Sequence, residues 1–315
     1  MPHRTRLAPS PTGTLHLGNA RTFLINWALA KQNNWQIVLR IEDLDQPRIK
    51  PGAVEQSIEL LAWLGMDWDE GPRFQANDLM PYQNAMWQLG ATGKVYPCSC
   101  TRSEIEAASL SAPHGDEHEL RYPSTCRPAE PTPIAHNLID LDQVGWRLRV
   151  PEGESEVEDQ FAGLQSFNID QTVGDFQVWT KSGIPSYQLA VVIDDDRDGI
   201  DCVVRGNDLA SSTPRQQLLY KLLELSPSPD YWHVPLVRGE DGRRLAKRHG
   251  DTRLASYQTS GVDALRVVGL LAEWCGCGER RAMTAEEFAD VFRIESLPAE
   301  DVVFRGVDHQ WLMEK

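Results

Sequence analysis

The chain has 315 residues, 41% of them hydrophobic, which suffices to bury a large core in one large domain or two unequal ones. A formal net charge of −15 excludes a surface coated in basic residues for unspecific nucleic-acid binding and leaves only a local basic groove open. No run approaches the roughly 20 apolar residues of a membrane span, no signal-peptide pattern opens the chain, and the few cysteines do not form a secreted framework, so a cytoplasmic protein with reduced thiols or a metal site and no membrane partner is expected.

The first strand, Thr5 to Leu7, enters the turn of "RLAPSPTGTLHLGNARTF" (Arg6 to Phe23) and then a helix in which Ala20, Phe23, Leu24, Trp27 and Ala28 recur at helical spacing. "WQIVLRIED" reads as a buried strand. The next helix starts near Pro51, turns Val54, Ile58, Leu61 and Leu64 inward and stops at Gly65. This alternation is the mark of an α/β fold with a doubly wound parallel sheet. It breaks between about residues 96 and 165, where cysteines, prolines and acids crowd in with short pieces such as "WRLRV", and this stretch reads as an insertion. Beyond it "FQVWT", "YQLAVVI" and "DCVVRG" are expected as strands, followed by a helix capped by Thr213 with Pro214 first, and then "WHVPLV". A catalytic unit over 1–240 and a glycine-bearing basic loop with a mainly helical tail over 241–315 complete the expectation.

The opening turn asks for a chemical explanation. A packing role needs only a tight strand-to-helix turn, which any cluster of Pro, Gly, Ser and Thr supplies. It does not need His16, Gly18 and Asn19 together. In a doubly wound sheet the loops after the strands lead into helix N-termini, whose amides favour phosphate. With a helix starting near Leu15, His16 and Asn19 project from one face of its first turn as phosphate donors, and Gly18 lets a flat ring such as adenine approach the backbone. A second phosphate element is available in "GRRLAKRHG", where Lys247 among Arg243, Arg244 and Arg248 would close over a polyphosphate and neutralise a leaving pyrophosphate.

"PSPTGTLHLGN" resembles the class I aminoacyl-tRNA synthetase signature named after its HIGH residues, and "RLAKR" resembles the KMSKS loop of the same family. "RLAPSPTG", "RIEDLD", "LGMDWDEGP" and "VVRGNDL" are similar to its glutamyl branch, and the similarity runs from Arg6 to about Gly250. The resemblance implies a Rossmann-like fold, ATP as a substrate with Mg2+, and a catalytic set of His16, Asn19 and Lys247, with Gly18 and Arg244 also at ATP. The KMSKS-like loop departs from the pattern at Ala246 and Arg244, which loses a hydroxyl and keeps the charge, and Asn19 stands where the pattern has a titrating histidine.

Glutamate carries two carboxylates and an ammonium group, so its site needs guanidinium donors and an acid. Arg6 and Arg205 end strands on the ligand side, and Glu42 closes "LRIED". The resemblance implies that Arg6, Ser10, Glu42, Tyr187 and Arg205 hold L-glutamate. Glu42 is assigned to the ammonium group and the arginines to the carboxylates, with their division open.

Cys98, Cys100 and Cys126 in the insertion supply three thiolates and leave one place of a tetrahedral zinc site, for which His114, His118 and Tyr122 compete. The resemblance implies Tyr122 and a structural Zn2+. Cys275 and Cys277 read as buried thiols. Only residues 251–315 follow the basic loop, too few for the large anticodon-binding region of a complete glutamyl-tRNA synthetase, so a small helical C-terminal domain is expected. That short form, with "APHG" and "RYPSTCRP", resembles the glutamyl-Q tRNA(Asp) synthetases, which implies transfer of glutamate to queuosine in the anticodon stem-loop of tRNA(Asp), by a chain expected to act as a monomer.

Overall fold

Two sets of parallel strands meet edge to edge in the computed structural model, which describes residues 2–110, 120–243, 245 and 252–314. In the first set β1 (Arg4–Leu7) lies beside β2 (Gln36–Ile41) and β2 beside β3 (Glu70–Phe74), all parallel, with helix α1 (Leu17–Asn33) and helix α2 (Ala53–Trp63) in the connections. Helix α2 turns Leu60 and Leu61 into the core, and the chain leaves it through Gly65 at φ +83°, a left-handed turn that glycine adopts without strain.

Helix α3 (Met80–Ala91), β4 (Val95–Cys98) and helix α4 (Arg102–Leu110) follow, then β5 (Gly145–Leu148), β6 (Ser155–Asp159), β7 (Gly163–Phe167), the short α5 (Ile169–Thr172) and β8 (Gln177–Trp179). Strands β4, β5 and β8 form an antiparallel sheet whose register opposes Val95 to Leu148 and Trp146 to Trp179. Helix α6 (Tyr187–Asp198), β9 (Cys202–Gly206), α7 (Thr213–Leu222) and β10 (Asp230–Val234) complete the second set, in the order β7–β6–β10–β9. Within it β6, β10 and β9 are parallel and β7 pairs back on β6. Strand β6 therefore belongs to the main layer although it lies in the stretch read as an insertion.

The amide of Asp201 donates to the Arg4 carbonyl at 3.1 Å and sets β9 beside β1. The chain finishes with β11 (Val237–Arg238), α8 (Leu254–Thr259), α9 (Ala264–Trp274), α10 (Ala285–Val291), β12 (Val302–Val303) and α11 (Gly306–Met313). Leu271, Phe288 and Phe292 of this tail pack in the same apolar core as Leu24 and Trp27 of α1. No helix among the described residues is long and apolar enough to cross a membrane.

Three local expectations are corrected. "YQLAVVI" is not a strand but the first half of α6. Leu189 to Ile193 are buried all round, so the run carries no alternation to distinguish the two states, and its length up to the left-handed Gly199 is that of a helix. Helix α1 begins at Leu17 and makes His16 its N-cap instead of a first-turn residue. Helix α7 follows a 3-10 turn over Asn207–Ser212, with Ser212 at the cap position, which frees the Thr213 hydroxyl for another partner.

Candidate active site

The carboxyl ends of β1, β2 and β9 open on one cavity of about 290 Å³ at the seam between the two parallel sets. This is where a doubly wound sheet receives its ligands. Arg6 lines the cavity from β1, Glu42 from the end of β2, Arg205 from β9 and Tyr187 from the first turn of α6, together with His16, Gly18 and Asn19. Seven residues singled out in the sequence thus share one space. Ser10 is not among the lining residues. It sits beside them on the β1 turn, its Oγ 3.1 Å from Thr12 Oγ1 and 3.4 Å from the Glu42 carbonyl, to which it donates.

The helix start organises one side of the cavity. His16 Nδ1 accepts the amide protons of Gly18 and Asn19 at 3.1 and 3.4 Å, while Asn19 Oδ1 accepts the His16 amide at 3.2 Å. This reciprocal cap occupies both acceptors, so the neutral imidazole carries its proton on Nε2, and Nε2–H and the Asn19 Nδ2 amide are the donors. A Cβ at position 18 would stand 3.0 Å from His16 Cε1. The glycine therefore admits the imidazole.

Both ends of the basic loop are fastened to this cavity. Leu245 donates its amide to Val237, a lining residue, at 3.2 Å, and Arg243 accepts from Gly239 at 2.9 Å. After the loop Thr252 accepts from Leu17 at 3.2 Å, Leu254 donates to Leu15 at 3.0 Å, and Arg253 bridges His16 in antiparallel fashion. Arg244, Ala246, Lys247 and Arg248 lie outside the described residues, as do His114 and His118.

The two arginines are buried, at 6% exposure for Arg6 and 4% for Arg205, and among the described residues neither pairs with a surface acid. Arg6 Nε stands 3.5 Å from Asp195 Oδ1, and the same oxygen is 2.7 Å from Arg40 Nη2, which is itself 3.7 Å from Glu42. Asp195 thus neutralises part of a cationic floor and leaves Glu42 at the cavity wall. Burial pushes the Glu42 carboxyl above its ordinary range, against the pull of Arg40 and Arg6. Arg205 is held by His233, Gln216 and Thr213, and no ion pair joins it to an acid among the described residues. Tyr187 keeps 40% of its surface exposed, so core packing does not account for it.

Arg40, Asp195, His233 and Asp159 were not legible as site residues. Of these only Asp195 lies in an acidic run, Asp194–Asp198, at the end of the buried helix α6.

A second cluster lies in the antiparallel layer. The Sγ atoms of Cys98, Cys100 and Cys126 fall within 4.8 Å of one another, Cys100 and Cys126 at 3.5 Å, and the Tyr122 hydroxyl lies 3.4 Å from Cys98 and 3.8 Å from Cys100. Tetrahedral zinc with sulfur ligands at 2.3 Å would space them by roughly 3.8 Å, so the donor set fits such an ion. Arg147 donates to Cys98 Sγ at 3.3 Å and lies over the Tyr122 ring at 3.8 Å, a cation set beside the thiol cluster. Burial pushes the Cys126 thiol up, but hydrogen bonds involving Tyr122 and Ser99 outweigh it and bring it down to about 6. Burial and Cys126 raise Cys100 to about 11.

The family model described as tRNA synthetases class I (E and Q), catalytic domain, matches residues 3–314. The chain belongs to this family. Among the relatives of this class I synthetase, a protein of Rhodopirellula baltica named glutamyl-Q tRNA(Asp) synthetase is 45% identical over 300 residues, covering 90% of this chain and 89% of its own. A protein of the same name from Symbiobacterium thermophilum is 42% identical over 307 residues and covers 94% of each chain. The glutamate–tRNA ligase of Thermodesulfovibrio yellowstonii is 36% identical over 312 residues, which is 98% of this chain and 65% of the ligase. The crystal structure of a glutamate–tRNA synthetase from Elizabethkingia anophelis superposes with a TM-score of 0.81 at 24% identity, over 99% of this chain and 70% of that one, and places the α/β layers in the class I synthetase catalytic fold.

Proposed function

We propose that the chain is an ATP-dependent glutamyl ligase that activates L-glutamate without tRNA and transfers it to queuosine in the anticodon of tRNA(Asp). A carboxylate oxygen of glutamate attacks the α-phosphorus of Mg-ATP, the bond to the bridging oxygen breaks, and pyrophosphate leaves glutamyl-adenylate behind. A nucleoside hydroxyl then takes the glutamyl group and AMP is released. The observation that carries this reading is the convergence of Arg6, Glu42, Tyr187 and Arg205 with His16, Gly18 and Asn19 on one cavity. The relatives that match this chain over nearly their whole length and are named glutamyl-Q tRNA(Asp) synthetase support the acceptor.

In this reading Glu42 holds the ammonium group, Arg6 and Arg205 hold the carboxylates, and Ser10 and Tyr187 complete the pocket. His16 and Asn19 donate to phosphate oxygens in the in-line transition state, and Lys247 and Arg244 supply charge to the departing pyrophosphate. Mg2+ arrives with ATP and screens its phosphates. Residues 1–240 form the catalytic part and 241–315 the KMSKS-like loop with a small helical domain. Cys98, Cys100, Tyr122 and Cys126 would hold a structural Zn2+ that fixes the antiparallel layer. The monomer acts in the cytoplasm on the anticodon stem-loop.

Transfer of labelled glutamate to tRNA(Asp) with and without queuosine, followed by mapping of the label, tests the proposal. Label confined to the queuosine nucleoside is expected. Label at the 3′ end would make the chain a catalytic core that esterifies tRNA, and glutamate and ATP binding without pyrophosphate exchange would make it a sensor.

A further inference from the structure

Behind Arg205 a buried relay reaches a carboxylate contributed by a separate part of the chain. Arg205 Nε donates to His233 Nε2 at 2.9 Å, Nη1 to Gln216 Oε1 at 2.8 Å and Nη2 to Thr213 Oγ1 at 2.8 Å. His233 Nδ1 lies 2.6 Å from Asp159 Oδ2, whose partner Oδ1 accepts the amides of Phe161 and Ala162. Arg205, His233 and Asp159 are each buried. A guanidinium only donates, so the His233 nitrogen facing it must present a lone pair. The ring proton then sits on Nδ1, and the acceptor it needs is Asp159.

The arrangement solves a particular problem. An acid placed directly on Arg205 would fix it but would also neutralise the charge that a substrate carboxylate has to find. An imidazole lone pair fixes the guanidinium and leaves its charge in place, while the carboxylate that dictates the imidazole tautomer stands one residue further back. We propose that His233 and Asp159 are positioning residues for the substrate carboxylate: Asp159 sets the His233 tautomer, and the His233 lone pair directs the Arg205 guanidinium into the cavity. This rests on the reading of Arg205 as a ligand of glutamate.

Pyrophosphate exchange at varied glutamate and varied ATP tests the relay. Asp159→Asn turns an amide donor toward Nδ1, moves the ring proton to Nε2 and sets two donors against each other. The KM for glutamate is expected to rise by about tenfold or more, as for loss of a buried hydrogen bond to a charged group, and the KM for ATP to stay within about twofold. His233→Gln presents one acceptor and one donor as the neutral imidazole does, so with Asp159 in place its oxygen faces Arg205 and its amide faces the carboxylate, and the glutamate KM is expected to stay within about threefold, a rescue by the conservative variant that a merely structural role does not predict. His233→Leu removes the acceptor and raises the glutamate KM, a measurement that stands even where Asp159→Asn does not fold.

Equal rises in both KM values, an unchanged glutamate KM in His233→Leu, or a rise in His233→Gln as large as that in His233→Leu overturns the relay. Arg205→Lys is measured in parallel to separate the two readings. If it raises the glutamate KM while the relay variants do not, the relay fails alone. If it leaves that KM unchanged, the assignment of Arg205 to glutamate fails.

Discussion

His16 and Asn19 hold each other at the entrance of α1, the histidine Nδ1 accepting the asparagine amide at 3.4 Å and the asparagine Oδ1 accepting the histidine amide at 3.2 Å. One pair of side chains therefore caps the helix with its acceptors, and in the proposed reading it meets phosphate with its donors. Stability and catalysis are separable here by chemistry. Asn19→Asp keeps the capping oxygen and suits the positive end of the helix, but it removes the Nδ2 donor and brings a negative charge to the phosphates. The melting temperature is expected to hold or rise while pyrophosphate exchange falls by about a hundredfold, the scale of losing one oxyanion donor.

Gly18→Ala introduces a Cβ at 3.0 Å from His16 Cε1. Alanine favours the first helical turn, so the fold is retained, and the imidazole gives way by a few tenths of an ångström. A misplaced donor costs rate before affinity, and kcat for exchange is expected to drop by about tenfold or more with the glutamate KM little changed. Steady-state kinetics beside a thermal melt checks both halves.

Glu42→Gln separates pocket chemistry from stability in the opposite sense. Because burial raises the folded-state pKa of Glu42, the folded protein binds this proton more tightly than the unfolded chain does. The carboxyl therefore costs stability as pH rises from the unfolded value of about 4.3 through its raised folded value, and the cost is complete above that window. The glutamine variant is expected to melt a few degrees higher at neutral pH, with the difference vanishing toward pH 4. Its glutamate KM is expected to rise by about tenfold or more through loss of the ammonium partner.

Lys247→Ala tests the basic loop as a leaving-group device. A group that acts only on charge developing in the transition state lowers kcat without weakening ground-state binding. A fall of about a hundredfold in adenylate formation is expected, with glutamate affinity measured by calorimetry within about twofold. Equal losses in both would remove Lys247 from the role.

The cysteine cluster predicts a metal that serves the fold. Purified protein is expected to contain zinc, and Cys126→Ser to lose it and melt several degrees lower, since metal affinity is folding free energy. Tyr122→Phe keeps three thiolates and retains the metal with weaker affinity. Exchange per folded molecule stays within about twofold in both variants, because the cluster stands apart from the cavity-lining set. Metal analysis and exchange rates together check this.

The sequence by itself determined the opening strand, turn and helix, the buried second strand and the chemistry of residues close together in the chain. A period of 3.6, a proline at a helix start or a glycine after its end reports local hydrogen bonding, and the clustering of His16, Gly18 and Asn19 at one cavity was readable because they lie within one turn. Tertiary structure alone decided that "YQLAVVI" is helical, since burial on every side erases the period that would have named it. It also decided that Asp159, His233 and Arg205 meet. Their contact depends on β6, β9 and β10 lying side by side, and the path that brings distant strands together leaves no pattern in the residues of any one of them.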